Sequence, residues 1–426
     1  MAIHQEVARP APTTQTDAQA SGVTTSVVQL LRSLVAQAPE IKRDSSATSE
    51  LIAASQALTE ALQRPDEVIA SVAFSGCRYA CVRVALEMGL FEKLAAAQVP
   101  LTAAALAREC LGADPQLVLR ITRTLVGMGF AADAQTQDGS NAFIATPVTR
   151  HLTLPSARAG LIFHFDQSFP VLANVAPFFR QNGFQVPQGV EKGVFQYTYN
   201  TDEDVYSYWS RDPKIMANFN VFMQGYFGSP AMSYPTSWFP FDQVCLDGFE
   251  TSRSEYVWVD IGGGKGHHSQ ELVDRYPYSR GKFVVQDQAE ILSSDSNDEP
   301  PLSSRIEKMP HNFFEAQPVH GARVYAFENV LHNWSDAQCK TILTHVRNAM
   351  TPGYSKLIIS GQVIADTNVP LIKSAYDASM LMVFGGAQRG KQQWTDLLAG
   401  VGLTVTKFWL PPRHAHDNGI IEADLL

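Results

Sequence analysis

The chain has 426 residues, of which 45% are apolar, and a formal net charge of −9. That length allows roughly two or three domains with sizeable cores. The acidic balance, without a stripe of Lys and Arg residues, argues against a nucleic-acid backbone as a partner. An apolar run of about 18 residues and the apolar core of a signal peptide are both missing from the sequence, so we expect a cytoplasmic protein with no membrane partner.

The cysteines are few and scattered. They are Cys77, Cys81, Cys110, Cys245 and Cys339. An odd, dispersed set favours a reducing compartment without a disulfide framework. Cys77 and Cys81 could share a helix face, but no pair of His or Cys residues completes a metal site, so we predict buried thiols and no metal.

The N-terminal part of the chain divides into a tail and a helical region. Residues 1–22 are rich in Ala, Thr, Gln and Pro with few large apolar side chains, which predicts a disordered tail. From residue 23 to 73, apolar residues recur at helical spacing, for example at Leu30, Leu31 and Leu34. Helices with such exposed apolar faces need a partner, and we expect a homodimer.

A winged-helix pattern follows and completes a predicted helical dimerisation and winged-helix domain over residues 23–154. Its elements are a helix at 82–88, a helix from residue 101, a helix at 116–127 and a wing strand at 143–146. Asp114, followed by Pro, caps the third helix. Winged helices often bind DNA, but the third helix offers only Arg120 and Arg123, so DNA binding is the weaker alternative.

Residues 155–250 form a predicted connector that is rich in aromatic side chains, among them Phe163, Phe165 and Phe227. Aromatic residues supply large buried areas, so much of this density must be core. A connector of this composition that faces a cofactor domain would also line an apolar pocket for a flat substrate.

The stretch that begins at Tyr256 is typical of a strand, a tight turn and a helix. Four β-favouring residues lead into Asp260, and Gly262, Gly264 and Gly266 follow before a helix-compatible segment. These glycines lack the Cβ atoms that would keep a ligand away from the backbone N–H groups, and the helix N-terminus adds partial positive charge. Alone, such a turn fits NAD, FAD or S-adenosylmethionine (SAM) equally well.

The segment after the turn narrows the choice of cofactor. Residues 282–287 form a second predicted strand that ends in Asp287, where doubly wound folds place the carboxylate that binds a ribose diol. The G-x-G-x-G spacing favours a methionine-bearing nucleoside over a pyrophosphate; a turn that binds no nucleotide is the alternative. Strands and helices then alternate, which predicts a Rossmann-like, doubly wound α/β domain over residues 251–426.

Several motifs together resemble those of one enzyme family. They are Leu86-Glu-Met-Gly-Leu-Phe, Asp114-Pro-Gln-Leu-Val-Leu-Arg, Val259-Asp-Ile-Gly-Gly-Gly-Lys-Gly-His, Val284-Val-Gln-Asp, His311-Asn-Phe-Phe, Val330-Leu-His-Asn-Trp-Ser-Asp and Gly400-Val-Gly-Leu. With them the chain resembles the plant and fungal small-molecule O-methyltransferases, of which the caffeic-acid-type enzymes are familiar members. The resemblance covers nearly the whole chain after the tail.

The resemblance implies a SAM site in the last domain. By it, SAM is held by Asp260, Gly262, Gly264 and Asp287, with Gly266 in the same turn, while Asn312 and Phe313 flank the adenine and Trp334 packs beside it.

The resemblance also implies a general base, His332. A phenol or enol with a pKa near ~10 must lose a proton as the methyl group moves, and a neutral imidazole with a pKa near ~6.5 can accept it. In the family a carboxylate follows this His and two more orient it, but Asn333, Gly361 and Gln388 occupy those positions here. Loss of all three removes charge that raises the basicity of the imidazole, an effect worth ~10²–10⁴ in rate.

The missing carboxylates point to a fungal branch of the family. This branch resembles the SAM-binding pericyclases of polyketide pyridone pathways, which keep the cofactor but do not transfer its methyl group. A His on the connector is a feature of that branch, and His164 lies in the matching region; a core histidine is the alternative. Three roles stay open: Glu328 as a substitute carboxylate, and Lys340 and Arg389 as cations that are otherwise solvated or structural.

The favoured hypothesis is a SAM-binding enzyme of fungal secondary metabolism. It would dehydrate a hydrophobic, polyketide-pyridone-like substrate and close a ring by an Alder-ene or hetero-Diels–Alder reaction, with SAM as an electrostatic cofactor. A SAM-dependent O-methyltransferase is the close alternative, and an inactive regulatory or scaffold protein is the third. The predicted catalytic residues are His332 and His164, and the predicted pocket residues are Phe163, Phe227, Asn333 and Gln388.

Overall fold

The computed structural model describes residues 26–38, 45–187, 192–227, 238–293, 301–367, 369–410 and 418–426. The predicted tail over residues 1–22 lies outside the described residues, and so does the side chain of Phe227. The chain divides into two compact units, residues 1–71 and 72–426.

The N-terminal unit is helical, and its helices expose large apolar side chains. Helix α1 spans 26–38, α2 spans Ser45–Leu62 and α3 spans Pro65–Ala73, across the boundary between the units. Leu30 is 61% exposed, Val35 74% and Leu62 73%. So many exposed apolar side chains on consecutive helices mark an interaction surface.

The second unit begins with helices and a hairpin in the order predicted for a winged helix. They are α4 (Ser75–Glu87), α5 (Leu90–Ala96), α6 (Ala103–Glu109), α7 (Pro115–Gly127), β1 (Ala132–Gln135) and β2 (Asn141–Ile144). Asp114 caps α7, because its Oδ1 accepts from the N–H groups of Gln116 at 2.6 Å and Leu117 at 3.3 Å. Leu90 and Phe91 lie in the core of this module.

The start of α4 corrects the prediction of buried thiols. Cys77 is exposed and Cys81 is half-buried, because the first turns of this helix face outward beside Phe74, which is 64% exposed. All five cysteines are free thiols. In the described ranges no single helix is long and apolar enough to cross a membrane, although α3 and α4, bent by 42°, reach that length and apolarity as a pair.

The connector consists of short helices around an aromatic core. They are α8 (Pro147–His151), α9 (Pro155–Phe163), a π-helix (His164–Ser168), α10 (Phe169–Ala173), α11 (Val175–Gln181), α12 (Val194–Tyr199), α13 (Val205–Trp209) and α14 (Pro213–Phe227). The ring of Trp209 meets Phe163 edge-on, with centroids 4.8 Å apart. Helices α9 and α14 pack closely at Gly160, where an added Cβ would lie 2.6 Å from the ring of Phe222.

A seven-stranded sheet with helices on both faces forms the C-terminal part of the described chain. Its strands are β3 (Tyr256–Ile261), β4 (Lys282–Asp287), β5 (Ile306–Pro310), β6 (Val324–Glu328), β7 (Lys356–Gly361), β10 (Thr404–Trp409) and β11 (Gly419–Asp424), in the order β10-β11-β7-β6-β3-β4-β5. The helices are α15 (His267–Arg275), α16 (Ala289–Leu292), α17 (Asp336–Ala349), α18 (Leu371–Ser379) and α19 (Lys391–Ala399). Two short strands, β8 (Val363–Ile364) and β9 (Arg389–Gly390), pair apart from this sheet, and π-helices lie at Asp242–Leu246 and Met380–Phe384.

The pairing of the strands fixes where a ligand can bind. Strand β3 runs parallel to β4 and β6, and β6 runs parallel to β7, whereas β11 is antiparallel to β7 and β10. Separate apolar clusters cover the two faces of the sheet. The predicted α/β, Rossmann-like fold class is therefore confirmed, and the ligand crevice of such a fold lies at the carboxyl ends of its parallel strands.

Candidate functional site

The glycine turn after β3 has a backbone that only glycine adopts without strain. Gly262, Gly264 and Gly266 have φ angles of 74°, 58° and 88°. A Cβ on Gly262 would lie 2.8 Å from Val330, whereas a Cβ on Gly264 would meet no heavy atom within 4 Å. The turn is therefore closed towards the protein at Gly262 and open at Gly264, where a ligand can approach the backbone.

The side chain of Asp260 packs against this turn. Its Oδ2 accepts from the Ser269 hydroxyl at 2.8 Å, and a Cβ on Gly263 would lie 2.5 Å from its carboxyl carbon. Burial raises the pKa of Asp260 to about 6; the hydrogen bond from Ser269 opposes this shift and the charge of Asp287 adds to it. Asp260 is thus positioned beneath the glycine turn, in contact with the first turn of α15.

Asp287, at the end of β4, is tied directly to the glycine turn. Its Oδ2 accepts from the Gly264 N–H group at 2.9 Å, and its Oδ1 accepts from the Gln288 N–H group at 2.7 Å. The side chain is half-buried. Each oxygen keeps a second lone pair, so the carboxylate can also accept hydrogen bonds from the two hydroxyl groups of a ribose.

An aromatic cluster flanks the far side of this crevice. The ring of Trp334 lies 5.7 Å from Phe313 and 4.9 Å from Phe314, edge-on to both. Asn312 is exposed, and its Oδ1 accepts from the Phe314 N–H group at 3.1 Å. The structure therefore brings the predicted Phe313 and Trp334 together, and adds Phe314, which the sequence reading did not single out.

His332 lies on a 3-10 turn, Leu331–Asn333, that follows β6 and is fixed by Arg389. The Arg389 guanidinium is 2% exposed and donates to the carbonyl oxygens of Leu331 at 3.0 Å and Trp334 at 2.8 Å. It also donates to Asp336 at 2.8 Å. Arg389 is therefore a structural cation, whereas Lys340 is exposed on α17.

The surroundings of the His332 ring disfavour its charged form. The side chain is buried, and its ring centroid lies 6.3 Å from that of Tyr376. Burial first and the charge of Arg389 second lower the pKa of His332 to about 4. Neither cause is a carboxylate.

Neutral amides occupy this end of the sheet. We call Asn329, Gln362, Gln388 and Asn418 the amide row. Gly361, just before Gln362, pairs with Gly419, which follows Asn418. Val363, just after Gln362, pairs with Arg389, which follows Gln388. Asn418 donates to the Asn329 Oδ1 at 3.1 Å.

Each member of the amide row has a buried atom without a hydrogen-bond partner among the described residues: Asn329 Nδ2, Gln362 Oε1, Gln388 Nε2 and Asn418 Oδ1. Buried polar atoms normally find a partner, so these atoms are available to a ligand or to water. The segment that carries Gln388 lies along His332, because the Ala387 N–H group donates to the His332 carbonyl at 2.9 Å.

His164 lies on the connector, at the start of the π-helix His164–Ser168. Its Nδ1 is 3.3 Å from the Ser168 hydroxyl, its ring contacts Phe222 at 5.3 Å, and burial lowers its pKa. The π-helix that carries it is fixed from outside by Arg83, which donates to both carboxylate oxygens of Asp166 at 3.0 Å. Single π-helical turns often occur at functional sites.

Phe163 requires a correction. Sequence reading placed it in the substrate pocket, but it is 1% exposed and lies among Trp209, Phe219 and Phe222. Phe163 is therefore part of the aromatic core of the connector, since the first requirement of a densely aromatic segment is to bury its own rings.

Comparison with known proteins identifies the family. A model described as the O-methyltransferase domain matches residues 183–404, and one described as the O-methyltransferase dimerisation domain matches residues 71–154. The chain belongs to the O-methyltransferase family. The boundaries of the predicted domains, 23–154, 155–250 and 251–426, stay a prediction.

Fungal relatives resemble the enzyme over most of its length. O-methyltransferase penC of Penicillium thymicola is 32% identical over 397 residues, which are 92% of this chain and 96% of the relative. O-methyltransferase asqD of Emericella nidulans is 33% identical over 342 residues, which are 80% of this chain and 85% of the relative.

Solved structures share the fold of the enzyme. LepI in complex with SAM has a TM-score of 0.81 and 26% identity, and covers 95% of this chain and 100% of its own. A structure described as a pericyclic reaction enzyme has a TM-score of 0.79 and 26% identity, over 94% of this chain and 100% of its own. OxaC in complex with sinefungin and meleagrin also shares the fold. It has a TM-score of 0.76 and 22% identity, and covers 94% of this chain and 99% of its own.

The predicted cofactor, SAM, is confirmed by the family match and by the LepI complex. The residues present fit it. The space above Gly264 is open, and Asp287 presents a half-buried carboxylate at the edge of that space. The roles of the individual residues stay predictions.

Sequence reading missed one pair of polar side chains in the site. The Nδ1 of His268, in the first turn of α15, lies 3.4 Å from the Oε2 of Glu328 at the end of β6. The sequence offered two hints: His268 comes shortly after the glycine turn, and Glu328 stands where the family often has another residue type. Neither hint indicates that the two residues are in contact, because the contact depends on strand register.

We expect Asp287→Ala to weaken the binding of SAM and S-adenosylhomocysteine at least tenfold, because charge-assisted hydrogen bonds worth about 1.5–3 kcal/mol are lost. Asp287→Asn keeps the shape and should lose less. Titration calorimetry measures both affinities, with the exposed Asp133→Ala on β1 as a control. Unchanged binding by Asp287→Ala would place the ribose elsewhere.

Proposed function

We propose that this enzyme keeps SAM intact and catalyses dehydration and pericyclic ring closure of a hydrophobic substrate of the polyketide-pyridone type. In the first step the proton of a ring hydroxyl passes to the hydroxyl group of a neighbouring side-chain alcohol, the C–O bond of that alcohol breaks, and water leaves. The quinone methide that results closes a ring by converting π bonds into σ bonds. All atoms except water stay in one molecule, so no oxidant or methyl donor is consumed.

The observation that carries this proposal is the position of His332, which is buried beside the Arg389 guanidinium, with Asn333, Gly361 and Gln388 where the family has carboxylates. Burial first and Arg389 second lower the pKa of His332 to about 4, which makes proton transfer from a phenol of pKa near ~10 unfavourable. His332 is therefore a poor general base for methyl transfer, although its neutral ring can still donate a hydrogen bond.

The amide row supports the same conclusion. Gln388 and Gln362 are buried polar side chains that add no charge, and each has an atom free for a new hydrogen bond within the described residues. Fixed dipoles of this kind stabilise charge that develops on a substrate oxygen without first having to reorganise. Asn333, half-buried beside His332, extends this neutral lining.

The cofactor contributes a fixed positive charge over the pocket when it is bound. The residues of the chain supply the rest: His332 donates to the substrate oxygen, His164 does so from the connector wall, and the aromatic rings around them exclude water. Burial keeps both imidazoles neutral at pH 7, since it lowers both pKa values. Two neutral donors stabilise developing oxyanion charge without surrendering a proton.

The likeness to known structures also supports the proposal. LepI was solved with SAM bound, and the solved structure described as a pericyclic reaction enzyme has the same 26% identity to this chain. One of these neighbours binds SAM and the other is described by a pericyclic reaction, and both share the fold of this chain.

Methyl transfer to a phenol or enol hydroxyl is the second candidate. It is favoured by the retained His332 and by relatives such as penC and asqD, which are named O-methyltransferases at 32% and 33% identity. In that case His332 would work as the base with no adjacent carboxylate.

The fate of the cofactor separates the two reactions. The purified enzyme should convert a 2-pyridone with a ring hydroxyl, a neighbouring side-chain alcohol and a distal alkene while the SAM concentration stays constant. Sinefungin, whose amine can carry positive charge, should sustain much of the activity, and neutral S-adenosylhomocysteine should not. Chromatography of SAM, S-adenosylhomocysteine and product measures all three arms.

Methyl transfer predicts the reverse pattern. S-adenosylhomocysteine would then appear one-for-one with a methylated product, sinefungin would inhibit, and His332→Ala would abolish turnover. Stoichiometric S-adenosylhomocysteine would refute the pericyclic proposal.

Gln388→Glu restores a carboxylate beside the His332 segment, and we expect it to raise the pKa of His332 above about 4. NMR of labelled histidine measures this change, and the exposed Gln137→Glu is the matched control. The rate of the wild-type enzyme should show no titration of His332 between pH 5 and 8, because its depressed pKa keeps the ring neutral over that range. The added negative charge should slow a pericyclic enzyme, whereas a faster Gln388→Glu variant would favour methyl transfer.

We also propose that the enzyme is a homodimer and that α1, α2 and α3 contribute to its interface. The match of residues 71–154 to the family's dimerisation domain supports a homodimer, and the exposed apolar side chains of these helices support their part in the interface. The partner that a dimerisation domain implies is a second copy of this chain. The predicted cytoplasmic location is compatible with five free thiols.

Charged substitutions should break this dimer. We expect Val35→Glu with Leu62→Glu to shift the full chain towards a monomer in light scattering, because two charges would be buried at the interface. Ser33→Glu is the control on the same helix. If the double variant remains a dimer of wild-type stability, the interface lies outside these helices.

A further inference from the structure

Glu328 stands beside the glycine turn at the carboxyl end of β6. Asp260 on β3 is level with Ala326 on β6, so Glu328, two residues further along, is level with Gly262. His268, in the helix that follows the turn, contacts the Glu328 carboxyl group at 3.4 Å. Glu328 therefore lies beside the glycine turn, which would form part of the SAM site.

The carboxyl group of Glu328 is buried without a hydrogen-bond partner. Its side chain is 9% exposed, and neither Oε1 nor Oε2 has a hydrogen bond within the described residues. Leaving a buried polar group unsatisfied costs about 1–3 kcal/mol. Because this cost is present in the free protein, Glu328 is a candidate for a side chain that forms its hydrogen bonds only when a ligand binds.

Acids on two neighbouring elements, β3 and α15, act on this carboxyl group. Burial first, then Asp260 on β3 and Glu271 on α15, raise the pKa of Glu328 well above its usual value. The pKa of His268 is lowered to about 4 by burial and by His267. These surroundings favour the protonated form of the Glu328 carboxyl group and the neutral form of the His268 imidazole.

We propose that Glu328 binds the α-ammonium group of the methionine part of SAM and releases its proton to solvent when the cofactor binds. This proposal rests on the SAM site described above and not on which reaction the enzyme performs.

The chemistry of the ligand selects the ammonium group. The sulfonium has no hydrogen to donate, and the methionine carboxylate would be repelled by Asp260, Glu271 and an ionised Glu328. The ammonium has three donors, which suit the two unpartnered carboxyl oxygens. Only a bound cation offsets the cost of a buried carboxylate, and the charged pair that forms has strong hydrogen bonds.

The proton release makes cofactor affinity depend on pH. Because the pKa of Glu328 is raised in the free protein, the ligand must displace a proton below that pKa, and affinity should rise up to tenfold per pH unit. Above the pKa the affinity levels off. The ligand ammonium itself, with a pKa near ~8, sets the upper limit of the useful range.

The experiment compares two neutral-sulfur ligands. S-adenosylhomocysteine has the ammonium group, whereas 5′-methylthioadenosine lacks the amino-acid part. Calorimetry of the wild-type protein from pH 5.5 to 7.5 should show a rising affinity for the first ligand and a flat profile for the second. Repeating the titration in two buffers of different ionisation enthalpy should show close to one proton released by the first ligand only.

Variants then assign the titration to one residue. Glu328→Gln should give a flat profile and lose at least tenfold of the preference for S-adenosylhomocysteine. Glu271→Gln should keep the pH-dependence but shift it to lower pH, because it removes one charge that raises the Glu328 pKa.

Two results would overturn the proposal. The first is a pH-dependence shared by both ligands, which would assign the titration to Asp260, whose pKa is about 6. The second is an unchanged profile in Glu328→Gln. The ligand comparison on the wild-type protein stays decisive if that variant folds poorly. Failure of both ligands to bind would refute the SAM site itself.

Discussion

The buried guanidinium of Arg389 is the interaction on which the catalytic end of this enzyme depends. It joins the turn that carries His332 to the start of α17 by donating to Leu331, Trp334 and Asp336. The guanidinium plane also lies 5.2 Å from the ring centroid of Trp394 on α19. Removing one partner of such a buried network leaves a charge or several carbonyl groups unsatisfied, at a cost of about 3–5 kcal/mol. The position of His332 is therefore coupled to the packing of two helices.

The same cation also sets the chemistry of His332. Its charge adds to the effect of burial and lowers the pKa of the imidazole. In the family the orienting carboxylates would oppose such a charge, and their replacement by Asn333, Gly361 and Gln388 removes that opposition. The result is a neutral ring lined in part by neutral amides, although the Asp377 carboxylate accepts a hydrogen bond from the Gln388 N–H group at 2.8 Å. Such a site stabilises charge by hydrogen bonds better than it takes up protons.

Three acids, Asp260, Asp287 and Glu328, lie around the glycine turn. Burial first, with a further contribution from neighbouring acids, raises the pKa of Asp260 and Glu328. A cationic cofactor bound at this turn would relieve the repulsion between these acids.

The sequence predicted those features that depend on local patterns. Strand β4 was predicted with its observed bounds because a run of apolar and β-branched residues ends in an acid, and the three glycines of the turn have the left-handed φ angles that explain their spacing. The cap at Asp114 followed from the same local chemistry. Features that depend on contacts between distant segments were not predicted from the sequence. The exposure of Cys77 and the burial of Phe163 are set by how helices pack, and helical periodicity does not say which face meets which neighbour.

The Glu328–His268 pair shows most clearly where sequence reasoning ends. The two residues are 60 positions apart, and their contact exists because β3 and β6 pair in a register that brings the end of one strand level with the turn after the other. From the sequence, Glu328 was a spare carboxylate that could serve either end of the crevice. The structure places it beside the glycine turn, because it contacts His268 and is level with Gly262 across the pairing of β3 and β6. Strand register therefore decides which side chains Glu328 meets, and the identity of the residue alone does not.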